Sequence, residues 1–173
     1  MRAILCREFG KPLEITDVDS PKPGDGEIRI RVAACGVNFP DTLIIDGKYQ
    51  IRPEPPFSPG GEIAGEILEM GAGVVGFSVG DPVMAVTLYG GFAEEIIARR
   101  VQVMPRPSSM DPVTAAAFSM TYGTTMHALK QRARLQPGET LVVLGAAGGV
   151  GLTAVELGRT MGARVIAAAS SEE

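Results

Sequence analysis

Alternation with a period of two dominates the first part of the chain. Residues 2–7, RAILCR, read as a short strand, and LEITDVD after Pro12 reads as a second, with Leu13, Ile15 and Val18 turned to one side. A PKPGDGE turn at 21–27 leads into EIRIRVAACGV, where Ile28, Ile30 and Val32 alternate with Glu27, Arg29 and Arg31. That spacing predicts a half-buried strand. NFPDTLIIDGKY has the size of one short helix ending at Gly47, whereas PEPPFSPGG is too rich in proline for either regular element. From Glu62 the strand pattern returns in EIAGEILEMG and in GDPVMAVTLYGGFAEEIIARRVQVMP. Gly71, Gly73, Gly76 and Gly80 fall between the apolar runs, as the turns of a small, strongly bent sheet or barrel require.

The texture changes after Pro105-Arg106-Pro107. Residues 1–110 are expected to form one β-rich domain, and residues 111–173 to hold connecting helices and the start of a second. Asp111 can cap a helix with Pro112 in its first position, and AAAFSMTYGTTMHALKQRARL is long enough for one or two helices before Pro137-Gly138. TLVVLGAAGGVGLTAVELGRTMGARVIAAAS then gives an apolar strand, a glycine turn, an amphipathic helix and another apolar strand, which is a βαβ unit of a parallel sheet.

Composition narrows the class. The chain has 173 residues, of which 22 are Gly and 13 are Pro, too turn-rich for a helix bundle and without the period of a collagen. A net charge of -4 with scattered basic residues opposes a phosphate-tracking nucleic-acid binder. Two cysteines, Cys6 and Cys35, cannot build a disulfide scaffold or a cysteine-rich metal knuckle, so a reducing compartment is expected. The start MRAILCREFG carries an early charge and no long apolar run, so neither a signal peptide nor a membrane span is expected, and the location expected is the cytoplasm.

The strongest chemical signal is Gly145-Ala146-Ala147-Gly148-Gly149-Val150-Gly151. In the GxGxxG register it reads Ala146, Gly148, Gly151, with alanine in the first glycine's place. Gly148 lets the backbone approach a pyrophosphate, a helix beginning near Gly149 offers free N–H groups, and Gly151 permits close packing of helix on strand. A tight turn without a ligand is the competing reading. GAGVVG at 71–76 also spaces its glycines suggestively, but no helix pattern follows it and it reads as a turn. A site for NAD usually has an acid about 20 residues beyond the first glycine. Here the second strand ends Ala167-Ala168-Ala169-Ser170-Ser171, where Ser170 or Ser171 could donate to a 2′-phosphate. NADPH is therefore the expected cofactor, held by Ala147, Gly148, Gly149, Val150, Ser170 and Ser171. Arg164 reads as a solvated surface charge.

Taken in order, RVAACGVNFPDTLIIDGKY, PPFSPGGEIAGEILEMGAGVVGFSVGDPV, GGFAEE and LGAAGGVGLTAVELGRTMGARVIAAASS resemble the quinone oxidoreductase branch of the medium-chain dehydrogenase/reductase family over nearly the whole chain. The resemblance implies a GroES-like β-rich domain followed by the opening βαβ unit of a Rossmann domain, with the active cleft between the two domains. It also implies that the chain is the N-terminal portion of a protein about twice as long, inactive by itself. Set against the zinc alcohol dehydrogenases of the wider family, Asn38 stands at the first ligand position and Gly61 at the histidine position. Only Glu62 remains of that set, and the lobe of structural-zinc cysteines is missing. One carboxylate cannot make a three-ligand zinc site, so no metal is expected.

Without a metal, an acceptor that is already electron-poor, a quinone or an enone, is the substrate expected. The resemblance brings Asn38, Asp41 and Thr42 to the nicotinamide ribose. Asn38 would orient the carboxamide or the acceptor oxygen, or else cap the turn that follows. Tyr49 resembles a substrate-side tyrosine whose hydroxyl could donate to a developing oxyanion, with a half-buried core tyrosine as the equal reading. Thr124, chosen over Thr125, resembles the threonine beneath the nicotinamide ring. His127, the sole histidine, is expected on a helix face and Cys35 to be an inert thiol.

The expected activity is NADPH-dependent, zinc-independent reduction of a quinone-like small-molecule acceptor. An enoyl or 2-alkenal reductase is the alternative among enzymes, and a noncatalytic binding or structural module is the alternative outside them. No nucleic-acid or membrane partner is expected, and a homodimer of the full-length protein is left open.

Overall fold

In the computed structural model, which describes residues 1–170, the alternation of Ile28 and Ile30 with Arg29 and Arg31 is realised in a long strand, β3 (Glu27–Gly36). Before it come the short strands β1 (Arg2–Leu5) and β2 (Glu14–Asp17), paired antiparallel as a separate ribbon. After it come the helix α1 (Phe39–Ile45), then β4 (Glu62–Met70), β5 (Pro82–Val86), β6 (Glu95–Arg99) and β7 (Val103–Pro105). β3 to β7 make one antiparallel sheet in the order β6-β3-β4-β5-β7. Register shifts between Arg29 and Ile30 and between Val32 and Ala34 bend β3 against β4, as bulges do.

One face of this sheet is the core. Ile28, Ile30, Ile63, Ile67, Val83, Ala85, Ile96, Ala98 and Val103 are buried together there. The opposite face carries Arg29 between Glu69 at 2.8 Å and Glu95 at 3.2 Å, cross-strand pairs that fix the outward side of the same alternation. The ribbon departs from its expected packing. Leu13 packs against a small cluster of Cys6, Ile44 and Phe57, but Ile15 is 77% exposed, because β2 pairs only with β1 and extends past that cluster.

Asp111 caps α2 (Pro112–Ala115) as its sequence predicts, accepting from the N–H groups of Val113 and Thr114. The chain divides into two compact units between Ala117 and Phe118. α2 stays with the first unit because Ala115 and Ala116 are buried and the Ala116 carbonyl lies against Gly36, where a β-carbon would collide with it.

The second unit begins with α3 (Ser119–Met126), which runs on as a wider π-helical segment (His127–Arg132). Then come β8 (Thr140–Leu144), α4 (Gly149–Thr160) and β9 (Arg164–Ala168). β8 and β9 pair in parallel from Thr140 opposite Arg164 to Leu144 opposite Ala168, the βαβ unit expected. The order of units agrees with the reading of the sequence: a β-rich unit followed by the opening βαβ unit of a parallel sheet.

Both thiols belong to the first unit. Cys6 is buried beside Ile44 and Phe57. Cys35 lies against glycine backbone: a β-carbon at Gly60 would sit 2.9 Å from its sulfur and one at Gly91 2.8 Å. Burial pushes the Cys35 thiol up to about 12, and the Asp41 and Glu62 carboxylates push the same way, against a backbone hydrogen bond from Glu62. Burial also raises the Cys6 thiol. At neutral pH neither is a thiolate, which is the reactive form.

Two outcomes follow. Ile67→Ala, which empties a fully buried position of the sheet core, is expected to lower unfolding free energy by about 2–5 kcal/mol in denaturant titration. Iodoacetamide at about pH 8 is expected to leave both cysteines unmodified in the native chain and to label both in denaturant, read by intact mass.

Candidate functional site

In the first unit the residues with chemical potential gather where β3 ends. α1 starts immediately after Asn38, whose extended backbone leads into Phe39 and Pro40. The Asp41 carboxylate reaches back to accept the Asn38 backbone N–H at 2.7 Å, while the Asp41 N–H donates to the Asn38 carbonyl at 3.0 Å. Asp41 is 2% exposed. Burial raises its pKa, and the backbone N–H groups of Asn38, Gly60 and Gly61 offset part of that by favouring the anion. Asp41 therefore acts as a brace between the start of α1 and the Gly60-Gly61 backbone.

Glu62 opens β4 opposite Gly36 and is 1% exposed. Its carboxylate accepts the Asn38 side-chain Nδ2–H at 3.0 Å. The path between them runs over Gly36, where a β-carbon would stand 3.2 Å from Glu62 Oε2. Asn38 is thus held from two directions, its backbone N–H by Asp41 and its side chain by Glu62. Its amide oxygen keeps acceptor capacity, since it has two lone pairs.

Other expected residues sit differently. Thr42 is exposed, and its hydroxyl donates to the Phe39 carbonyl at 2.7 Å. Tyr49 is half-buried and packs on the cluster of Cys6, Ile44 and Phe57. Among the described residues, no three His, Cys, Asp or Glu side chains cluster as metal ligands. The donors at the positions set against zinc ligands by resemblance do not suit a cation, because Asn38 turns its amide N–H to Glu62 and Gly61 has no side chain.

In the second unit β8 runs into the glycine turn, and Gly145 adopts φ +69°. Gly148 is the N-cap of α4 and no side chain caps that end, so the first-turn N–H groups remain available to an anion. Ala147, Gly148, Gly149 and Val150 are all exposed. Gly151 is needed for closeness, but to the turn and not the strand: its β-carbon would collide with the Gly145 carbonyl. The helix-to-strand contact belongs instead to Gly158, where a β-carbon would stand 2.6 Å from Leu141 Cδ2. A pyrophosphate fits this geometry, with an open helix end and no β-carbon at its edge.

β9 ends in Ala168, followed by Ala169 and the exposed Ser170, with no carboxylate at those positions. Ser171 lies outside the described residues. Thr124 is exposed on α3, whereas Thr125 is buried and its hydroxyl bonds Thr153 of α4 at 2.6 Å. Of the two registers, only Thr124 has a hydroxyl at the surface. His127 is exposed and pairs with Gln131 at 2.6 Å on the same helix.

Sequence reasoning missed the partnership of Glu62 with Asn38, the Thr125–Thr153 bond and the role of Gly158. For Glu62 a signal existed: an acid opening an apolar strand directly after Pro59-Gly60-Gly61 has no turn or solvent role to explain it.

Residues 24–108 match the alcohol dehydrogenase GroES-like domain. The chain is 44% identical over 175 residues to the quinone oxidoreductase-like protein 2 homolog of Nematostella vectensis, covering 99% of this chain and 48% of that protein. Among solved structures it superposes on the quinone oxidoreductase of Thermus thermophilus, also crystallised with NADPH, with a TM-score of 0.88 and 37% identity over 99% of this chain and 54% of that one. It superposes on the CurK enoyl reductase with a TM-score of 0.90 and 31% identity over 98% and 54% of the two chains. The chain spans about half the length of the curated relatives it matches. With a first unit that matches the GroES-like domain over residues 24–108, a glycine turn opening a parallel sheet and this similarity over 99% of its length, the chain is similar to the quinone oxidoreductases.

Proposed function

We propose that the protein containing this chain reduces a quinone or a similarly electron-poor acceptor with NADPH and without zinc. The observation that carries the proposal is the uncapped, exposed start of α4 behind a glycine turn, with serine and no acid where β9 ends. When bound, NADPH supplies the hydride. Gly149 and Val150 would hold the pyrophosphate through backbone N–H groups, and the missing β-carbon of Gly148 leaves it room. Ser170 and Ser171 would donate to the 2′-phosphate, where a carboxylate would repel it. Thr124 offers an exposed hydroxyl to the nicotinamide side of the cofactor.

In the first unit Asn38 would orient the carboxamide or the acceptor oxygen, with Asp41 fixing its backbone and Thr42 beside it on α1. Tyr49, its ring held by Ile44 and Phe57, would donate its phenolic proton's hydrogen bond to the oxyanion that develops on the acceptor. An acceptor activated by its own conjugation needs no metal to polarise it. The likeness to CurK enoyl reductase favours one further reading, an enoyl or alkenal acceptor served by the same cofactor machinery.

Titration of NADPH and NADH into the full-length protein, followed by intrinsic fluorescence or calorimetry, tests the proposal. Binding of NADPH about tenfold or more tighter than NADH is expected, in line with serine in place of an acid just after β9. Gly151→Val is expected to abolish binding of both by displacing the Gly145 turn. No binding of either nucleotide to the wild-type protein would overturn the oxidoreductase reading in favour of a noncatalytic module.

A further inference from the structure

We propose that Glu62 is a positioning residue that sets the polarity of Asn38, so that the site presents the Asn38 amide oxygen as an acceptor in a fixed place. The proposal rests on the reading above, in which Asn38 faces the cofactor or the acceptor. An asparagine side chain has two ends of nearly equal shape, one donating and one accepting, and a rotation of half a turn exchanges them. A ligand that needs one of them sees both unless something breaks the symmetry.

Glu62 breaks it. Its carboxylate lies 3.0 Å from Asn38 Nδ2 and, when ionised, only accepts, so the nitrogen end must face it and the oxygen end must face away. The flipped amide would set an oxygen against a carboxylate oxygen. Glu62 cannot swing aside to relieve that contact, because it is 1% exposed, paired in register opposite Gly36 and packed over that glycine. Asp41 supplies the second restraint by holding the Asn38 backbone N–H at 2.7 Å, so the side chain has a fixed root. What Asn38 offers a ligand is then one acceptor and the second N–H of its amide, a pair that suits a primary carboxamide better than an isolated carbonyl oxygen.

The test is a double-mutant cycle in the full-length protein with NADPH and 1,4-benzoquinone, combined with side-chain amide NMR of Asn38, assigned by its disappearance in Asn38→Ala. Glu62→Ala is expected to lower kcat/KM by about tenfold or more, with Glu62→Gln, whose amide oxygen can still accept, recovering most of the loss. In the Asn38→Ala background the Glu62→Ala loss is expected to shrink to a small remainder, since the proposed route through Asn38 is gone. The Nδ2 proton of Asn38 that faces Glu62 is expected well downfield of a solvent-exposed asparagine's in the wild type, and in Glu62→Ala to move to the exposed asparagine's shift.

A Glu62→Ala loss that persists undiminished without Asn38, or Asn38 amide signals that Glu62→Ala leaves in place, overturns the proposal. Circular dichroism of each variant separates both results from failure to fold, and Glu62→Gln, which keeps size and shape, carries the test if Glu62→Ala does not fold. Should the wild type neither bind NADPH nor reduce an acceptor, the functional reading falls before any variant is made, and this proposal falls with it.

Discussion

β3 and β4 pair antiparallel from Ile28 opposite Met70 to Gly36 opposite Glu62, and the first unit depends on that ladder. Its inward residues supply Ile28, Ile30, Ile63 and Ile67, all fully buried, and its outward residues set Arg29 against Glu69. A slip by one residue would exchange the two sets and place arginine in the core, a change that hydrophobic burial strongly opposes. The same register puts Glu62 across from the end of β3, two residues before Asn38. Core packing and site geometry are therefore consequences of one pairing.

Two buried carboxylates are an unusual load for a unit of this size, since an ion taken from water must recover hydrogen bonds inside. Asp41 recovers them from backbone N–H groups at Asn38, Gly60 and Gly61. Glu62 takes one from the Asn38 side chain. Both are spent on holding a short stretch of irregular backbone between a strand and a helix. Glycine makes the arrangement fit, because a β-carbon at Gly36 would collide with the Ala116 carbonyl, and one at Gly61 would stand 2.9 Å from the Leu88 carbonyl oxygen.

The second unit solves a different problem, joining parallel strands through a helix while leaving the helix start bare. Thr125 and Thr153 bond each other between α3 and α4, and Gly158 lets α4 settle on Leu141. With the helix anchored along its length, its first turn can stay uncapped behind Gly148. A helix start left bare in this way attracts anions through N–H groups that the fold leaves without partners.

What could be read from the chain alone was whatever depends on neighbours in sequence. The period of β3, the Asp111 cap with Pro112 and the glycine turn before α4 all follow from residues within a few positions of one another. Ile15 reads inward by the same alternation that places Ile28 and Ile30 correctly, yet it is exposed, because alternation says which side a residue faces and not whether anything covers that side. The bond from Asn38 to Glu62 spans 24 positions and exists only because β3 and β4 meet in one register. Likewise the thiol of Cys35 is raised by burial and by the Asp41 and Glu62 carboxylates, and its sulfur lies beside Gly60 and Gly91, far along the chain. Local periodicity and turn chemistry thus determined the elements, while the tertiary structure decided which side chains those elements bring within hydrogen-bonding reach, because that distance is set by strand register and burial.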